Sequence, residues 1–118
     1  MEERLYAALS GKNRRQKRGT GTTAPAVTFA MASDAPSDQD KRLVIHGVYA
    51  NHDNGPTDSF SIIQGGTSVI FVDGDGSSSE LDFGGKGPCF GQGDGDVAVT
   101  ASKAAAATSE VNVVYEWV

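Results

Sequence analysis

Two histidines, one cysteine and several closely spaced carboxylates are the residues of this 118-residue chain whose types suit chemistry. His46 stands in the apolar run "RLVIHGVYA" and His52 in the turn-rich "NHDNGPTD". Nucleophilic catalysis needs a hydroxyl or thiol within hydrogen-bond reach of such a base. Neither a G-x-S-x-G elbow nor an H-E-x-x-H motif is present. Cys89, in "CFGQG", sits beside a turn and reads as a small hydrophobe. Carboxylates gather at Asp73, Asp75, Glu80 and Asp82, and again at Asp94 and Asp96. Paired carboxylates can hydrolyse glycosides, but Asp-Gly steps are first of all turn formers, because both residue types tolerate φ > 0. "DGDGSSSELDFG" resembles a calcium loop, with Asp73, Asp75 and Ser77 at the first, third and fifth places. Ser78 stands where that loop needs Gly, and Gly84 where it needs a bidentate Glu. "GQGDGDVAV" is similar to one unit of a calcium-binding β-roll, an architecture that needs stacked repeats this sequence does not have. With no phosphate-cradling loop or dinucleotide fingerprint either, the expectation is no catalytic residue, no metal and no cofactor.

The informative cluster is cationic. Lys12, Arg14, Arg15, Lys17 and Arg18 fall within seven positions of "GKNRRQKRGTGTTAP". Residues 1–18 carry a net +4, residues 19–118 a net −9, and the whole chain −5. Such a split is a reason to treat the two parts separately. Residues 1–24 read as an extended arm, with a short helix over 2–9 and a basic linker over 11–18. Leu5, Ala8 and Leu9 share one side of that helix, with Tyr6 nearby. The arm could neutralise nucleic-acid phosphate, dock on an acidic protein surface with Leu5, Tyr6 and Leu9 as apolar anchors, or remain a solvated tail. Nucleic acid is disfavoured, because aromatics do not interleave with the cations and the acidic body offers no basic face to continue the contact. Fully extended, 24 residues reach up to about 80 Å, enough to lie across a neighbouring subunit.

From Pro25 the pattern turns to short apolar runs separated by turn residues. "AVTFAM" (26–31), "RLVIHGVYA" (42–50), "SFSII" (59–63), "TSVIFVD" (67–73), "ELDF" (80–83), Cys89–Phe90, "VAVTAS" (97–102) and "SEVNVVYEWV" (109–118) read as strands. "QGG" between the third and fourth predicts a hairpin, and "KAAAATS" (103–109) reads as a hairpin loop. In "RLVIHGVYA" strict alternation sets Val44, His46 and Val48 opposite Leu43, Ile45 and Tyr49. In the last strand Val111, Val113, Tyr115 and Trp117 share a face. Seven or eight strands at this spacing predict an all-β fold, an antiparallel sandwich or jelly-roll-like domain over 25–118.

The totals agree with one small domain. A single cysteine excludes an internal disulfide and fits a reducing compartment. No apolar run is long enough to span a membrane, and "GTGTTAPAVTFAMAS" after Arg18 is too polar for a signal peptide.

The stretch "SSELDFGGKGPCFGQGDGDVAVTASKAAAATSEVNVVYEWV", with "SVIFVD" before it, resembles the end of small β-sandwich virion proteins of tailed phages. Those share a "DFG"-like step, a Gly-rich segment with an isolated Cys, an alternating strand, an Ala/Gly-rich turn and a final strand like "VNVVYE". The resemblance covers about residues 42–118. It implies a virion structural protein without catalysis: a capsid decoration (cement) protein made in the host cytoplasm, present in many copies or as a homo-oligomer. Its partner would be the major capsid protein. A head-fibre, neck or tail component, or a glycan- or host-binding sandwich module, stays open. The arm lies outside the resemblance. Read from its residues, Leu5, Tyr6 and Leu9 would anchor it and Lys12, Arg14, Arg15, Lys17 and Arg18 would make its charge contacts.

Overall fold

The computed structural model describes residues 14–35, 41–73, 79–84 and 86–118. Nine strands are found there: β1 (Arg15–Gly21), β2 (Ala26–Phe29), β3 (Leu43–His52), β4 (Ser59–Gln64), β5 (Thr67–Asp73), β6 (Glu80–Asp82), β7 (Cys89–Phe90), β8 (Val97–Ser102) and β9 (Ser109–Trp117). One turn of helix, α1 (Met31–Asp34), follows β2. The strands form where β-branched and aromatic residues alternate with small polar ones. In β8 every second residue (Val97, Val99, Ala101) is buried. In β9 Val111 and Val113 are buried and Tyr115 and Trp117 pack against the same core. Each such fully buried Val contributes roughly 1.5–3 kcal/mol relative to exposure. Gly65 and Gly66, at φ 58° and 81°, make the two-residue turn between β4 and β5, where both positions need the left-handed region.

The protein is an antiparallel β-sandwich. One sheet has the order β1-β9-β3-β6, with β7 pairing beside β6 on β3, and the other β2-β8-β4-β5. The pairs β4·β5, β3·β6, β2·β8 and β1·β9 follow outward from the Gly65–Gly66 hairpin. They fall alternately in the four-stranded and the five-stranded sheet. The chain is thus one long antiparallel ribbon rolled up on itself, which is the jelly-roll arrangement. The core lies between the sheets, around Ile45, Val48, Ile62, Val99 and Val113, with Phe29 edge-on to Tyr115 at 4.9 Å between ring centroids.

Three expectations are corrected. The basic linker is not a linker from Arg15 onward: Arg15–Gly21 is a sheet strand, paired residue for residue with β9 from Tyr115 to Ser109. An edge strand has one neighbour and needs no continuous apolar face, and cations along it blunt further pairing, so its charge hid it. The inward side of β1 is locked at Gly19, where a Cβ would fall on the Ala26 carbonyl oxygen of β2. Second, alternation in β3 breaks. The register against β9 slips between Ile45 and Gly47, so Leu43 and Ile45 and then Val48 and Ala50 face the core, while Tyr49 lies outside the core cluster. One extra residue at His46 shifts the parity. Third, 103–108 is not a hairpin loop: β8 belongs to one sheet and β9 to the other, so the segment crosses between sheets. The predicted helix over 2–9, with Leu5, Tyr6 and Leu9, and Lys12 of the linker lie outside the described residues.

Candidate functional site: a polar cleft and a neutral sheet face

The described cations of the predicted arm are engaged by the sandwich itself. Lys17 donates to the Thr28 carbonyl at 2.7 Å and to Asp34 Oδ2 at 3.3 Å, and its Nζ stands 5.0 Å from the centre of the Phe29 ring. The Ala30 backbone N–H, and then Lys17, hold the Asp34 carboxyl below its ordinary range. Arg18 pairs with Glu110 at 2.7 Å. Arg15 is exposed, and Arg14 is half-buried with interactions of its own. The structure therefore brings Lys17 and Arg18 onto the body of the protein, on opposite sides of β1.

Neither histidine joins a nucleophile–base arrangement with a carboxylate behind it. His46, at the β3 bulge, lies with Nε2 3.0 Å from Glu116 Oε1, and its Nδ1 is buried without a partner among the described residues. His52 is buried between two hydroxyls, Nδ1 2.7 Å from Ser109 Oγ and Nε2 3.0 Å from Thr57 Oγ1. Burial, and then the Lys103 charge, push its pKa below the ordinary 6.5. Cys89 is exposed rather than packed as a small hydrophobe.

The carboxylates serve as ties for backbone. Asp53 accepts from the Ala107 and Thr108 N–H groups, Asp58 from Ala104 N–H and Lys103, Asp82 from Gly84 N–H and Tyr49 Oη, and Asp96 from Met31 N–H. The Ala104 N–H, and then Lys103, lower the Asp58 pKa. Asp75 and Ser77 of the calcium-like loop lie outside the described residues. Among the described residues no three His, Cys, Asp or Glu side chains come together as a metal site, and no helix is long and apolar enough to cross a membrane.

Two surface features stand out. The first is a cleft of about 540 Å³ at one end of the five-stranded sheet, lined by the ends of β1 and β3 and the start of β9. Its floor includes a cross-strand row, Thr20–Glu110–Asn51, set by the ladders of β1 with β9 and β9 with β3. Arg18, Asp53 and Thr108 also line it. The sequence offered no motif for it, because its residues come from positions 18–21, 51–53 and 108–110 and meet only through the sheet. The second is the outer face of the four-stranded sheet. One row across it reads Phe71–Ser61–Thr100–Ala26, and the next contains Ile63–Ala98–Thr28. None of these is charged. Phe71 is 62% exposed, and Val69, at the irregularity in β5, is 48% exposed. The aromatics that a glycan-binding face would have used are elsewhere: Tyr49, Phe60 and Phe90 are buried, and Trp117 packs against the core.

Comparison with known proteins adds little. No family model and no curated protein matches the chain. A solved structure with some likeness is a carbohydrate-binding module, CBM36, in complex with calcium and xylotriose. It is 9% identical over 92% of this chain and 91% of that one, with a TM-score of 0.32. The assignment of the fold rests on the strand order and not on that likeness.

Proposed function

We propose that the protein is a virion structural component of a tailed phage, a capsid decoration protein that works by binding and not by catalysis. In this reading it attaches through the outer face of the four-stranded sheet. The observation that carries the reading is that the two central rows of that face hold no charged residue on a protein of net charge −5, with Phe71 standing out of them. Rows of Ser, Thr, Ala, Ile and one aromatic can be covered by a partner without desolvating any charge within them, which is the costly part of forming an interface. An exposed aromatic is the usual anchor of such a contact. The resemblance of residues 42–118 to phage sandwich proteins supplies the kind of particle.

The partner is the major capsid protein, and the site of action is the virion. Many copies on a symmetric shell let modest affinity per copy suffice. The acidic remainder of the surface faces outward and keeps particles apart in solution. Leu5, Tyr6, Leu9, Lys12 and Arg15 remain candidate contacts with the capsid, whereas Lys17 and Arg18 hold β1 to its own body. A head-fibre, neck or tail position is the variant of the same reading.

Mass spectrometry of gradient-purified particles, counting copies against the major capsid protein, tests it. Hundreds of copies are expected. A count of about six or twelve moves the protein to the neck, tail or fibre, where axial symmetry sets the number. Absence from particles removes the virion reading. In particles that carry it, Phe71→Asp is expected to abolish attachment while the domain still folds.

A further inference from the structure

We infer that the cleft at the end of the five-stranded sheet is a binding site for a neutral, polyhydroxylated ligand of the size of one or a few sugar units. The inference goes beyond the proposed function and stands without it. Thr20, Glu110 and Asn51 lie directly opposite one another on β1, β9 and β3. Residues so paired on one face have Cβ atoms about 4.5–5.5 Å apart. The row is held by ladders rather than by a loop. Among the described residues, the side chains of Thr20, Asn51 and Thr108 have no hydrogen-bond partner and line the same cleft. Its volume, about 540 Å³, is within the range of small-ligand sites.

The chemistry of the lining selects the class. The lining's charged groups are already engaged: Arg18 pairs with Glu110, and both Asp53 oxygens accept from the Ala107 and Thr108 N–H groups. An anion would meet two carboxylates, and a cation would find Glu110 held by Arg18 and both Asp53 oxygens already accepting backbone N–H groups. The paired guanidinium still offers N–H donors and the paired carboxylate still offers lone pairs. Asn51 both donates and accepts, as do the two threonine hydroxyls. A hydroxyl group is the ligand function that donates and accepts at once, so a set of adjacent hydroxyls satisfies this wall. An apolar ligand would leave it unpaired. His52, fixed between Ser109 and Thr57, stiffens the floor beneath.

The test is a heteronuclear NMR titration of the full chain with glucose, galactose, mannose and their disaccharides, with glucuronate and inorganic phosphate as charged probes. At least one neutral sugar is expected to shift the Thr20, Asn51 and Thr108 resonances, with a Kd of about a millimolar. Asn51 is exposed, so Asn51→Ala is expected to keep the thermal midpoint and weaken that binding about tenfold or more. Three outcomes overturn the inference: no neutral sugar shifts these residues, Asn51→Ala binds as well as the parent, or only the charged probes bind. Particle composition reads the virion proposal separately, so either can fail alone.

Discussion

Across the middle of the four-stranded sheet run Phe71, Ser61, Thr100 and Ala26, and across the end of the five-stranded sheet run Thr20, Glu110 and Asn51. Both rows are cross-strand neighbours of the same kind, yet the first is uncharged and the second lines a polar cleft. The difference follows from how the ribbon is rolled. The five-stranded sheet takes β1, the one strand drawn from the basic segment, and sets it against β9, which brings Glu110 and Glu116. The four-stranded sheet takes β2, β4, β5 and β8, whose solvent-side residues in the two central rows are small or apolar. The cations of β1 are thereby set on the five-stranded sheet, where Arg18 pairs with Glu110, and the two central rows of the other sheet hold no charge. The two edges differ in the same way. β1 carries Arg15, Lys17 and Arg18, whereas in β5 the sole charged residue is Asp73 at its end.

Five substitutions would break this contrast or sharpen it. The largest effect is expected beneath the polar cleft. His52→Leu leaves the Ser109 and Thr57 hydroxyls buried without their partner, at a cost of about 3 kcal/mol by chemical denaturation. The same variant should change the pH dependence. The folded pKa of His52 lies below its ordinary 6.5, so the unfolded chain takes up the proton first. Stability from this group is complete above that range and declines as pH falls through 6.5 and below. The decline should vanish in His52→Leu. Loss from Asp34 and Asp58, whose folded values are depressed below 3.8, begins only at more acid pH and should remain.

Next is the seam where β1 meets β2. Gly19→Val drives side-chain atoms into the Ala26 carbonyl and should cost about 2 kcal/mol in thermal unfolding. If stability is unchanged, β1 is not part of the cooperative sandwich. Third, Lys17→Ala removes the contacts to Thr28, Asp34 and the Phe29 ring and should cost about 1 kcal/mol. Arg15→Ala, at an exposed position of the same strand, should change stability by less than about 0.5 kcal/mol. The smallest effect is expected on the neutral face. Phe71→Thr should leave the stability of the isolated protein within about 0.5 kcal/mol, because its ring is mostly in water already. A large loss there would mean that the face supports the fold instead of serving a partner.

Much of the sandwich could be read from local pattern. The alternation of "VAVTAS" and of Val111, Val113, Tyr115 and Trp117, and the glycine pair between β4 and β5, each specify their element because the relevant forces are short-range. Side-chain period and φ > 0 turns are properties of a few adjacent residues. What lay beyond that reach came from pairing. β1 has no strand signal of its own and exists because β9 offers a free edge and Glu110 a partner for Arg18. The β3 bulge reverses the faces of Val48 and Tyr49, since an inserted residue is decided by the opposing ladder and not by the strand's own alternation. The cleft is the extreme case. Thr20, Asn51 and Glu110 are ordinary surface residues in the sequence, separated by 31 and 59 positions. The sequence by itself determined that this protein is a β-sandwich of turn-linked strands with an uneven charge. Only the tertiary structure decided where that charge goes and which polar side chains stand together, because both depend on contacts between strands distant along the chain.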